Sequence, residues 1–334
     1  MPSPRAARLV RGLDRLLELV PTGLDLSEFH DLVAGDLPSD EQFAMIAGEG
    51  MVGTAPIPRV RPILVALAAR AIGASTVDPE AQHVAELLHL ALRVHDLALG
   101  REGGRRRRVA RRLVKSVGWV TGNRMTIRAL ELSRVSSPGV MEELLETLRS
   151  FADAQSLSRE LVGEVPVEQD WREHADTHTG ALFAFCCRSG GHLGGATPRE
   201  LSALGRYGRH VGRLWHIAED VSILEFGDPS LHLVQRAGSG RPVLPVVVAA
   251  LQDPDVGVAW ARLANEPNPE AARALAPRIR ALGVPRSREV MLEESFCARK
   301  AVRGLSESSY RTAMEKLAAG IVLRPNRGAG GRQA

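Results

Sequence analysis

The chain has 334 residues, 44% of them hydrophobic and 25% charged, with a net charge of +4. This is the composition of a soluble globular protein, and the length allows a sizeable core. No apolar run approaches the ~20 residues that span a bilayer. The three cysteines, Cys186, Cys187 and Cys297, form no C-x-x-C pair, which excludes a disulfide framework and a zinc–cysteine site.

The first residues, "MPSPRAARLVRGLDRLLELV", are basic, and charges interrupt every apolar stretch, unlike a secretory leader. With the cysteine pattern, this predicts a reducing, cytoplasmic compartment. Helical signals then dominate, because Leu, Ala, Arg and Glu abound while aromatic residues make up only 4%. "RPILVALAARAIGA" predicts a nearly wholly apolar helix from Pro62. "DPEAQHVAELLHLALRVHDLAL" predicts the next, with Asp78 as N-cap and Pro79 at its first position. Further helices are predicted at "RRLVKSVGWVTGNRMTIRALELS", "PGVMEELLETLRSFADAQSLSREL", "HADTHTGALFAFCCRSGG", "TPRELSALGRYGRHVGRLWHIAEDVSIL" and "PVLPVVVAAL". The last third predicts three more, at "NPEAARALAPRIRALG", "SREVMLEESFCARKAVRGL" and "SYRTAMEKLAAGIV". Several of these are too apolar to face water, so some must be enclosed by others. The fold class predicted is all-α, a large helical bundle around a central cavity or core.

His89, Arg93 and Asp96 stand at i, i+4 and i+7 and share one helix face. Just beyond them, the stretch from Arg101 to Lys115 holds eight basic residues and one acid, Glu102. Such a cluster suits phosphate-bearing ligands or nucleic acid, or else is a solvated surface. Nucleic acid is disfavoured, since no Phe, Tyr or Trp lies between Arg101 and Gly118 to stack on bases. Adjacent acids, Glu219 and Asp220, lie near the end of another apolar helix. Acid-bearing helix ends and arginines are the parts of a metal–diphosphate site, because magnesium prefers carboxylate oxygens, retained waters and phosphates. His174 and His178, at i and i+4, have zinc-compatible spacing but no clear third ligand, and are read as ordinary surface helix histidines. The glycine-rich "SGGHLGGATP" lacks a P-loop lysine and reads as a helix C-terminus and turn.

In order and approximate spacing, four segments resemble the trans-isoprenyl diphosphate synthases, the polyprenyl synthetase family. "PRVRPILVALAARAIG" resembles G-K-R-x-R-P, and "AELLHLALRVHD" resembles E-x-x-H-x-x-x-x-x-H-D. "YGRHVGRLWHIAEDVSI" resembles Y-G-x-x-L-G-x-x-F-Q-x-x-D-D-x-x-D, and "GSGRPVLPVVVAAL" resembles E-G-K-P-T-L-P. The resemblance implies an isoprenoid-synthase-like helical domain over 37–322, which leaves a basic helical extension over 1–36 and a tail over 323–334, where "RPNRGAGGRQA" predicts disorder.

The resemblance also implies diphosphate-binding roles for Arg59, Arg61, His89, Arg105, Arg106 and Arg241, and a place for Ala91 beside the growing chain. Pro58 stands where the family has a lysine, His178 and Thr179 where it has Lys-Thr, His216 where it has glutamine, and Leu231 where it has a further lysine. Asp96, Glu219 and Asp220 remain as metal-ligand candidates, while Leu97, Gly100 and Ile223 replace the other acids of the two D-D-x-x-D motifs. In the family, magnesium ions bridge both motifs to the allylic diphosphate and neutralise it as it leaves. One or two carboxylates per helix make a poor cage for such ions. Magnesium is therefore expected to bind weakly, with no other cofactor. Because leaving-group stabilisation supplies most of the rate, metal-dependent elongation is expected to be weak or absent. Arginine forks hold diphosphate without metal. Two versions stay open: a divergent prenyltransferase acting on an unusual acceptor, or a noncatalytic subunit in a homodimer or a heterodimer with an active synthase.

Overall fold

The computed structural model describes residues 31–32, 60–99 and 108–323. The extension expected over 1–36 and the tail over 323–334 lie almost wholly outside them. No strand occurs among the described residues, and twelve α-helices lie between Val60 and Leu323. They are α1 (Val60–Ile72), α2 (Pro79–Leu99), α3 (Arg108–Ser136), α4 (Pro138–Glu160), α5 (Glu168–Ala175), α6 (Ala181–Leu193), α7 (Pro198–Phe226), α8 (Pro229–Gly238), α9 (Leu244–Gln252), α10 (Pro254–Asn265), α11 (Pro269–Val302) and α12 (Ser309–Leu323). A π-helical turn, Asp176–Gly180, joins α5 to α6.

Local chemistry sets most helix starts. Proline opens α2, α4, α7, α8, α10 and α11, where its missing N–H costs nothing. Asp78, Asp228, Asp253 and Asn268 each accept a backbone N–H at the start of the following helix. At α7, Thr197 Oγ1 accepts from the Glu200 N–H at 3.3 Å, and Glu200 Oε2 accepts from the Thr197 N–H at 2.8 Å. This is a reciprocal capping box. Thr197→Ala is expected to lower stability by about 1 kcal/mol, read as a lower urea midpoint at unchanged slope.

The near-wholly apolar helices are the enclosed ones. α1 is buried along almost its whole length, and so is α6 from Ala181 to Cys187. α6 packs between α1 and α7, α2 lies against α3, and α7 lies against α11. Glycine permits these close crossings. A Cβ on Gly190 of α6 would strike the Val65 carbonyl of α1. One on Gly212 of α7 would lie 2.7 Å from the Gly180 Cα.

Two sequence expectations need correction. The helices expected at "NPEAARALAPRIRALG" and "SREVMLEESFCARKAVRGL" are one 34-residue helix, α11, which carries Pro277 and Pro285 in its interior. Its buried face, including Ala276, Ile279, Gly283, Val284 and Ser287, packs on α7, α8 and α9. Tertiary burial therefore outweighs the roughly 3 kcal/mol that each interior proline costs. The helix expected at "HADTHTGALFAFCCRSGG" is interrupted by the π turn. Two short helices, α8 and α10, are not legible in the sequence as helices at all. Among the described residues no helix is long and apolar enough to cross a membrane.

Candidate functional site

Arg61 lies in the first turn of α1, buried and 3.8 Å from Glu86 Oε1 of α2. Its guanidinium carbon stands 5.8 Å from the Phe183 ring centroid of α6, within cation–π range. His89 sits one turn beyond Glu86 on α2. Burial, and then the charges of Arg61, Arg93 and His178, push its imidazole well below the usual histidine range. Ala91, two residues on, is buried. Farther along α2, the His95 ring lies 5.1 Å from the Trp119 ring of α3. The Asp96 backbone belongs to α2, but its side chain lies outside the described residues, as do Arg59, Arg105 and Arg106.

The π turn brings a second group to the same place. A π turn inserts a residue into the helical register and so re-aims the side chains beyond it, often at functional sites. Here Arg213 of α7 holds the turn, with Nη1 donating to Asp176 Oδ1. Arg213 Nη2 also reaches Glu294 Oε2 of α11 at 2.9 Å, and His210 Nδ1 meets the same oxygen at 2.7 Å. Thr179 Oγ1 then lies 3.1 Å from His216 Nδ1 of α7, and 3.3 Å from His178 Nδ1.

The rings of His174 and His178 stack at 5.4 Å, and His174 meets His216 edge-on at 6.0 Å. His174 is only 1% exposed. The reading of it as a surface histidine is thus wrong: the short α5 turns it inward against the π turn. Neither of its ring nitrogens has a hydrogen-bond partner among the described residues. Burial pushes His174 well below the usual histidine range, aided by the charges of His178, His216, Arg241 and Arg236. Burial pushes His216 down to about 3, against the opposing pull of Asp220. Burial therefore favours the neutral imidazole at His174 and His216, beside fixed arginine charge.

Asp220, one turn beyond His216, has no exposed surface. Its Oδ1 accepts from Arg236 Nη2 at 3.1 Å and lies 2.9 Å from His232 Nε2, both on α8. His216 Nε2 lies 3.7 Å from Oδ2. Burial would raise this carboxyl, but the Arg236 charge and the His232 hydrogen bond outweigh it and hold the group well below the ordinary carboxylate range. Glu219 Oε1 accepts from the Trp215 indole N–H at 2.9 Å. The two acids on α7 therefore both have protein partners, and Ile223 at the next turn offers no donor. Among the described residues, no three His, Cys, Asp or Glu side chains are grouped to hold a metal ion. The described donors do not fit magnesium, which requires oxygen ligands and keeps part of its water shell.

Of the residues singled out from sequence, Arg61, His89, His178, His216, Asp220 and Arg241 fall in this one region. Leu231, where the further lysine was sought, is 41% exposed. Arg236 and His232 carried no sequence signal as partners of Asp220. They stand i and i+4 on α8, while the carboxylate they hold belongs to a different helix.

Residues 56–228 match the family model described as Polyprenyl synthetase. The chain is 24% identical over 252 residues to octaprenyl diphosphate synthase of Escherichia coli strain K12, covering 71% of this chain and 75% of that protein. It is 28% identical over 220 residues to heptaprenyl diphosphate synthase component 2 of Geobacillus stearothermophilus, covering 62% and 67%. Its fold matches that of a Caulobacter crescentus CB15 polyprenyl synthase solved with calcium and isoprenyl diphosphate. The TM-score is 0.72 at 22% identity, over 95% of this chain and 98% of that one.

Proposed function

This chain belongs to the polyprenyl synthetase family, and from that membership we propose that it binds isoprenoid diphosphates while metal-dependent chain elongation is weak or absent. The observation that carries this reading is the position of His178. Its ring stacks on His174 at 5.4 Å, its Nδ1 lies 3.3 Å from Thr179 Oγ1, and that hydroxyl lies 3.1 Å from His216 Nδ1; it is also among the neighbours that lower His89, beside Arg61. One continuous set of imidazole and guanidinium donors thus spans the two halves of the site. Arginine binds phosphate oxygens through forked, charge-assisted bonds, and neutral imidazole N–H groups add donors that need no protonation.

In this reading Arg61 and His89 hold diphosphate on the α1–α2 side, His178, His216 and Arg241 hold it on the α7–α8 side, and Arg59, Arg105 and Arg106 are further diphosphate ligands. The small side chain of Ala91 leaves room for an isoprenoid tail. Magnesium, when bound, would neutralise a departing diphosphate, and the acids described on α7 give it little to bind. The likeness to a heptaprenyl synthase component supports a role as a subunit, in a homodimer or beside an active synthase. Its dimeric state, the isoprenoid-synthase-like domain over 37–322 and a cytoplasmic location belong to the same proposal.

Calorimetry with a thiolo analogue of farnesyl diphosphate tests it. The wild-type protein is expected to bind in chelator, with magnesium adding little. Arg105→Ala/Arg106→Ala should weaken binding roughly a hundredfold or more, since each charge-assisted contact contributes about 1.5–3 kcal/mol. Asp96→Asn should change it far less. Wild-type affinity in the double-arginine variant would make that basic stretch a solvated surface. Magnesium-dependent turnover at rates usual for the family would remove the second half of the proposal.

A further inference from the structure

We infer that Arg236 stands in place of a divalent cation at Asp220, so that the second acidic motif is an internal ion pair closed to metal. The inference does not depend on whether a diphosphate binds.

Three observations carry it. First, two donors take the Oδ1 side of the Asp220 carboxylate, and a buried ring closes the Oδ2 side, which has no hydrogen-bond partner among the described residues. Arg236 and His232 converge on Oδ1 at 3.1 and 2.9 Å, and the buried His216 ring faces Oδ2 at 3.7 Å. Second, Asp220 has no exposed surface, whereas a magnesium-type ion keeps waters and needs space for them. Third, the neighbours that would complete a cage are spoken for or absent. Glu219 is engaged by Trp215, and Ile223 is apolar.

Physically, a buried carboxylate must be paired, and the pair can be an ion or a side chain. A guanidinium supplies one fixed positive charge at the carboxylate and repels a second cation there. Unlike a metal it cannot be lost to chelator. Arg236 is therefore a positioning residue. It orients Asp220 and keeps one positive charge on the α8 side of the histidine cluster under all metal conditions.

The test is Mn²⁺ binding to the full-length protein, followed by the paramagnetic resonance signal of free Mn²⁺ without any diphosphate present. Asp220→Asn is expected to leave wild-type Mn²⁺ affinity unchanged, because the carboxylate is not a ligand. Arg236→Gln is expected to raise affinity at least tenfold by freeing it, while Arg236→Lys, which keeps the charge, should not. A tenfold loss in Asp220→Asn would overturn the inference, and so would unchanged affinity in a folded Arg236→Gln protein. If Arg236→Gln does not fold, the Asp220→Asn result decides alone. Loss of diphosphate binding in calorimetry would defeat the proposed function without touching this measurement.

Discussion

Shifting the protein from pH 7 to pH 5 is expected to remove at least about 2 kcal/mol of folding stability. His174 and His216 are almost fully buried, and burial holds both below the ordinary histidine range, His216 at about 3. In the unfolded chain each takes up a proton near pH 6.5, so below that pH the unfolded state binds more protons than the folded one. Stability therefore rises with pH. The contribution is complete above about pH 6.5 and is lost as pH falls from there, for His216 down towards 3. His216 costs about 1.4 kcal/mol per pH unit in that window, about 2 kcal/mol by pH 5, and His174 acts in the same direction. His89 adds to the same limb, since its pKa is lowered too. Asp220 has the same sign but enters later, because its unfolded carboxyl takes a proton only near pH 4. Urea unfolding at pH 7, 6 and 5 measures the effect. His216→Gln, which places an amide where the imidazole stands, should make the fall between pH 6 and 5 shallower by about 1.4 kcal/mol. A variant with the same pH dependence as wild type would mean that His216 is already solvated in the folded state.

Gly240→Ala is expected to be among the most damaging single-methyl additions in the protein. Gly240 adopts φ +67, in the left-handed region, where a Cβ costs about 1–2 kcal/mol. The added Cβ would also collide with the Ser158 carbonyl oxygen at the end of α4. That atom is backbone and cannot rotate away, and overpacking of this kind costs a further 1–3 kcal/mol or so. The sum, about 2–5 kcal/mol, should appear as a lower denaturant midpoint. The adjacent residue is Arg241, so a shift of this turn would also move a guanidinium that acts on His174 and His216. Diphosphate-analogue affinity is expected to fall with the midpoint. An unchanged midpoint would show that the turn can open without cost.

Much of the helical plan is legible because its causes are local. The Asp78–Pro79 start of α2 is written in two adjacent residues, and the Gly194–Gly195 turn after α6 in two more. α8 escapes notice because ten residues between glycine-bearing turns give little periodicity to read. α11 reads as two helices because Gly283 and Pro285 are local helix breakers, and only burial against α9 and its neighbours overrides them. The π turn has no sequence mark either. It depends on the close approach of Gly212 to Gly180 and on Arg213 reaching Asp176 across helices.

The same division runs through the candidate site. Residue types and their order along the chain pointed to the all-helical fold seen in the described residues, and marked Arg61, His89, His178, His216, Asp220 and Arg241 as positions in segments that resemble family motifs. Those motifs are short, and each lies on one helix or turn. Which charges meet was decided only by the tertiary structure. Asp220 could have faced a metal or an arginine, and its own helix gives no sign which. Arg236 pairs with it because α8 turns back beside the end of α7 and places His232 and Arg236 one helical turn apart on the Asp220 oxygen. Ion pairing depends on distances of a few ångströms between separate helices, and those distances are set by how the helices pack.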